Sequence, residues 1–67
     1  MNYQYEKLEA KYIDVLNILT KTKEEFEEQL RETENNISIL LIQTTIGLTD
    51  NSIKIVNWIL EDIKVFK

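Results

Sequence analysis

The fold is decided by residues 39–63, which read ILLIQTTIGLTDNSIKIVNWILEDI. Eight positions in this stretch are separated alternately by three and four residues, and seven of them hold an apolar side chain. Those positions are Ile39, Ile42, Ile46, Thr49, Ile53, Val56, Leu60 and Ile63. The alternation is typical of a helix that packs one continuous stripe against another helix. We therefore expect one long helix in the second half of the chain.

The first half carries a similar stripe with more polar interruptions. Its predicted positions are Tyr5, Leu8, Tyr12, Val15, Leu19, Thr22, Phe26, Gln29 and Thr33, with Leu30 as a substitute for Gln29. The chain has no Pro and only one Gly, so strong helix breakers are scarce. We expect a second long helix here and an all-α fold class.

A turn is predicted at residues 34–36, Glu34-Asn35-Asn36, because Asn favours turns and helix caps. Asn36 is the expected cap of a helix that starts at Ile37. The whole chain, residues 1–67, then forms one domain, a long antiparallel helical hairpin. An alternative is three or four shorter helices, since residues 22–25 have the form of a capping box and residues 49–52 are rich in capping residues.

A second apolar strip on the second helix predicts self-association. Its members are Ile37, Leu41, Leu48, Ile55, Trp58, Ile59 and Phe66. A helix that is apolar on two sides is normally buried on two sides, and one partner helix covers only one of them. The chain has no Cys or His, so disulfides and ordinary zinc sites cannot stabilise so small a domain. We predict a homodimer, or a higher oligomer, in which two hairpins form a four-helix bundle.

In architecture, an acidic helical hairpin of this length with a central turn resembles the small plasmid-encoded RNA-binding four-helix-bundle proteins. The resemblance implies geometry alone. The net charge is −4, from 12 acidic and 8 basic residues. That balance argues against direct binding of nucleic acid, where Lys and Arg contacts with phosphate dominate affinity.

Two groups of residues are candidates for contact with a partner protein. The acidic group is Glu24, Glu25, Glu27 and Glu28, and the aromatic group is Tyr3, Tyr5 and Tyr12. Tyr is frequent in interface hot spots. The competing interpretations are a solvated acidic face, with pairs such as Lys23–Glu27 at four-residue spacing, and an ordinary aromatic core at the open end of the hairpin.

Catalysis has little chemistry to draw on, because there is no nucleophile–His arrangement and no Gly-rich phosphate loop. We predict no catalytic residue, metal ligand or cofactor. With no apparent signal peptide or spanning segment, a soluble cytoplasmic protein is expected.

The predicted function is a small non-enzymatic protein–protein interaction module: a regulator, inhibitor or adaptor. The alternatives are an acidic inhibitor of a nucleic-acid-binding protein and a structural coiled-coil component of a larger assembly. Ten Ile, and seven Lys against one Arg, favour an AT-rich source such as a phage, a plasmid or a low-GC bacterium.

Overall fold

The protein forms two long antiparallel helices. The structure is a computed structural model that describes the backbone of residues 2–66 and the side chains of residues 4–66. Helix α1 spans Asn2–Glu32 and helix α2 spans Asn36–Phe66, with 31 residues each. They pack against each other as a hairpin joined by residues 33–35. The predicted all-α hairpin is confirmed.

The turn begins one residue earlier than the sequence suggested, and the cap is Asn35. Asn35 Oδ1 accepts hydrogen bonds from the backbone N–H groups of Ile37, at 2.9 Å, and Ser38, at 3.2 Å. The predicted cap, Asn36, is instead the first residue of α2. Two of the N–H groups that lack a partner at a helix start are thus satisfied by a single side chain.

Both helices run without a break through the two stretches that could have interrupted them. Residues 22–25 lie inside α1, and residues 49–52 lie inside α2. The hydroxyls of the second stretch are bonded within the helix: Thr49 donates to the Thr45 carbonyl and Ser52 to the Leu48 carbonyl. Because these hydroxyls bond one turn back, they do not compete for the start of a new helix. The alternative of three or four shorter helices is therefore wrong.

The eight stripe positions predicted for α2 all face α1. Val56, Leu60 and Ile63 are buried, and the other five are half-buried. In α1 the predicted stripe needs correction at one position, because Leu16 faces inward in place of Val15, whereas Leu30 faces inward as the predicted substitute for Gln29. Tyr5 and Leu8 are also exposed, at 39% and 41%. Neighbouring apolar residues such as Val15 and Leu16 fit the same spacing, and the position of α2 decides between them.

The hairpin is a thin rod with little interior. Its Cα atoms extend over 52 × 14 × 11 Å, and the radius of gyration is 15.4 Å. A compact chain of this length has a radius of gyration of about 11 Å. The accessible surface is 5480 Å², whereas a compact monomer of this mass exposes about 4,450 Å². The hairpin thus exposes on the order of 1,000 Å² more than a compact fold would.

Candidate interaction surface

The hairpin has two unlike sides, which follow from helix geometry. Each residue is rotated by about 100° from the one before it. In an antiparallel pair, residues that directly follow an inward-facing residue lie on the same side of the hairpin in both helices. Residues that directly precede one lie on the opposite side. Four residues of the first group line one shallow groove between the helices. They are Ile13 of α1 and Asn57, Glu61 and Lys64 of α2.

This groove belongs to the side we call the polar face. In α2 the residues that follow the inward-facing stripe are Leu40, Gln43, Gly47, Asp50, Lys54, Asn57, Glu61 and Lys64. Most of them are polar or charged, which suits contact with water. Ile13 and Leu40 are the exposed large apolar residues on this side.

The opposite side of α2 alternates large apolar residues with small hydroxyl residues and ends on Asp62. The residues that precede the stripe are Ser38, Leu41, Thr45, Leu48, Ser52, Ile55, Ile59 and Asp62. Leu41 and Leu48 are 63% and 65% exposed. The hydroxyls of Thr45 and Ser52 donate to the carbonyls of Leu41 and Leu48, so these polar groups already have partners within the helix. The strip can therefore be buried without stranding a hydroxyl of Thr45 or Ser52.

Helix α1 extends this apolar side over its first half only. Leu8, Val15 and Ile18 precede the inward-facing residues Glu9, Leu16 and Leu19, and all three are exposed. Further along α1, the same side carries Glu25, Gln29 and Glu32. We define the apolar face as Leu8, Val15 and Ile18 of α1 with Leu41, Leu48, Ile55 and Ile59 of α2. This face is a group of neighbouring exposed apolar residues. Exposed apolar residues that are scattered singly over a protein surface are normal, but a group of this kind is not.

A polar pair crosses the middle of the hairpin. Lys23 Nζ donates a hydrogen bond to Asp50 Oδ1 at 2.8 Å, and the two side chains are 30% and 41% exposed. This bond lowers the pKa of the Asp50 carboxyl below its ordinary value of 3.8 and raises the pKa of Lys23 above 10.5. The pair is ionised at neutral pH, and it places residue 23 level with residue 50.

The predicted interface residues are largely uncovered in the hairpin. Ile37, Leu41, Leu48, Ile55, Trp58 and Phe66 are exposed, and Ile59 is half-buried. Trp58 is 71% exposed on the outer edge of α2. The hairpin alone leaves most of this apolar surface in water.

The predicted partner residues do not form one surface. Tyr3 lies outside the residues whose side chains are described. Tyr5 stacks on Phe66 with ring centroids 6.3 Å apart, and Tyr12 is half-buried. Glu24, Glu25 and Glu28 are exposed far from this aromatic end, and Glu27 is half-buried. Asn51, in the stretch 49–52 that could have started a new helix, is exposed within α2.

Sequence reasoning missed the Lys23–Asp50 pair and the separation into two faces. The expected partner of Lys23 was Glu27 in the same helix, but its hydrogen bond goes to the other helix. The signal was present, since Lys23 lies between the inward-facing Leu19 and Phe26. The two faces become visible only when inward-facing residues are known in both helices.

Other kinds of site find no support in the part of the chain that is described. No group of three or more His, Cys, Asp or Glu residues there could hold a metal ion. Neither described helix is long and apolar enough to cross a membrane. The chain matches no protein-family model, no curated protein and no solved structure.

Proposed function

We propose that the protein is a small non-enzymatic interaction module that works as a homodimeric four-helix bundle and regulates, inhibits or links another protein. The observation that carries the proposal is the exposed apolar face. Its seven side chains are about half exposed in the hairpin, so burying them is worth about 5–10 kcal/mol, at about 1.5–3 kcal/mol for each side chain fully buried. That is comparable to the whole stability of a small domain.

The size of the uncovered surface also supports a second copy as the partner. A stable interface of standard size buries about 800 Å² on each partner. The hairpin exposes on the order of 1,000 Å² more than a compact chain of its mass. One face-to-face contact between two hairpins therefore accounts for the excess.

Two leucines with the same exposure test the proposal. Leu48 lies on the apolar face and Leu40 on the polar face, and each is 65% exposed in the hairpin. Changing either to Lys lowers the net negative charge from −4 to −3, so overall repulsion between copies falls equally. We expect Leu48→Lys to give a monomer in light scattering and Leu40→Lys to keep the dimer. Equal behaviour of the two variants would contradict the proposed face.

The acidic inhibitor is a second candidate, favoured by the exposure of Glu24, Glu25 and Glu28. The nearest cations to Glu24 and Glu28 in the sequence are Lys23 and Arg31, and Lys23 is bonded to Asp50 across the hairpin. The acidic group would then be available to a basic protein surface, such as that of a nucleic-acid-binding protein. Exchanging the three residues for Lys should leave the melting temperature almost unchanged, since exposed ion pairs contribute little. A basic partner that still binds this variant would eliminate the acidic candidate.

A further inference from the structure

We infer that the second copy packs antiparallel to the first, with the α2 helices of the two copies side by side and a twofold axis near the middle of the hairpin. The inference deepens the proposed function and rests on it. A face-to-face dimer of hairpins has two natural arrangements. In one, the two turns lie at opposite ends of the bundle and each α2 packs on the α2 of the second copy. In the other, both turns lie at the same end and each α2 packs on α1 of the second copy.

The charge distribution favours turns at opposite ends. The half of the hairpin near the turn, residues 20–50, holds seven acidic and three basic residues, a net of −4. The remaining residues, 1–19 and 51–67, hold five of each sign, a net of zero. Turns at the same end would place two −4 halves within about one screening length, which is roughly 8 Å at physiological salt. Turns at opposite ends place each acidic half beside a neutral one.

The apolar surface favours the same arrangement. Lys23 of α1 bonds to Asp50 of α2, so these two residues lie at the same level along the hairpin. Any other residue of α1 lies level with the residue of α2 for which the two numbers add to about 73. With both turns at one end, Leu41 and Leu48 of one copy would therefore lie against the levels of Glu32 and Glu25 in the other. With the turns at opposite ends, the α2 strip covers the same strip of the other copy without interruption. Glu25 and Gln29 of each α1 then lie near the levels of Ile18 and Val15 in the other α1, so the mixed contacts fall outside the α2 pair.

The α2 strip also has the shape that such a contact requires. Small residues at 38, 45 and 52 alternate with large ones at 41, 48 and 55. Facing layers interdigitate when large side chains meet small ones. In an antiparallel pairing of identical strips, each helix offers small positions to the large side chains of the other. The contact is isologous, since the same surface is used on both copies.

Spin-label distances separate the two arrangements. The chain has no Cys, so Asn36→Cys and Asn51→Cys each introduce a single labelling site at an exposed position. Asn35, which caps α2, is left unchanged. Residue 36 lies 15 residues from the middle of α2, about 23 Å along the axis. In the antiparallel dimer the two labels at residue 36 are therefore about 45 Å apart. The two labels at residue 51 are about 20 Å apart, the width of two helices.

Double electron–electron resonance on each labelled dimer gives the result. A distance of about 45 Å at residue 36 together with about 20 Å at residue 51 supports the inference. Similar distances at the two positions, both well short of about 45 Å, would show turns at the same end and overturn it, while leaving the dimer intact. A monomeric mass with no interspin distance would instead overturn the proposed function itself. Sedimentation of the labelled variants beside the unlabelled chain shows whether the label has disturbed assembly.

Discussion

Truncating Leu48 to Ala should weaken the dimer by an amount that follows from its exposure. Leu48 is 65% exposed in the hairpin, so an interface can still bury about two-thirds of its surface. Full burial of Leu is worth about 1.5–3 kcal/mol, which leaves about 1–2 kcal/mol for each copy. Both copies lose the side chain, so the dimer loses about 2–4 kcal/mol. At about 1.4 kcal/mol per tenfold change, the dissociation constant should rise about 30- to 700-fold.

Leu40→Ala is the matched control, because Leu40 has the same exposure on the other side of the same helix. Its effect should stay within about 0.5 kcal/mol, or roughly twofold in the dissociation constant. Sedimentation equilibrium over a dilution series measures both constants, and circular dichroism checks that both variants remain helical. A dimer that responds equally to the two truncations, or does not respond to Leu48→Ala, would refute the assignment of the interface to the apolar face.

Leu60, 9% exposed, belongs to the small hairpin core, and Leu60→Ala should cost about 2–5 kcal/mol in chemical denaturation; an unchanged midpoint would mean that this core contributes little. Trp58 lies on the outer edge of α2, beside the apolar face, and the sequence predicts that the interface extends to it. Its emission should then shift to the blue and become harder to quench as the concentration rises into the dimer range, whereas a concentration-independent red emission would limit the interface to the apolar face. The stabilisation from the Lys23–Asp50 pair should be present between pH 3.8 and 10.5, lost as pH falls through the lowered pKa of Asp50, and lost as pH rises through the raised pKa of Lys23. Asp50→Asn should therefore destabilise the protein at neutral pH but not in strong acid, and an equal difference at both would contradict this role.

The hairpin itself was predictable because its signals are local. These signals are the absence of Pro, the paired Asn at 35–36 and the stripe of residues 39–63. Each of them affects only the backbone within a few residues of it. The cap was placed one residue late because two adjacent Asn carry the same local signal. In α1, Val15 and Leu16 are both apolar, and spacing alone could not choose between them.

The features that sequence reasoning missed depend on the alignment of one helix against the other. Lys23 and Asp50 are 27 positions apart, and they meet only because the turn brings these levels together. Similarly, Leu8, Val15 and Ile18 join the α2 strip only once the side of each helix is known. The second strip of α2 could be read from the sequence, but its continuation onto α1 could not.

The mass of the unmodified chain in solution shows whether a second copy covers the apolar face. Sedimentation equilibrium at micromolar concentration should give about 16 kDa, twice the 8.0 kDa of one chain. A stable species of 8.0 kDa across that range would contradict the account.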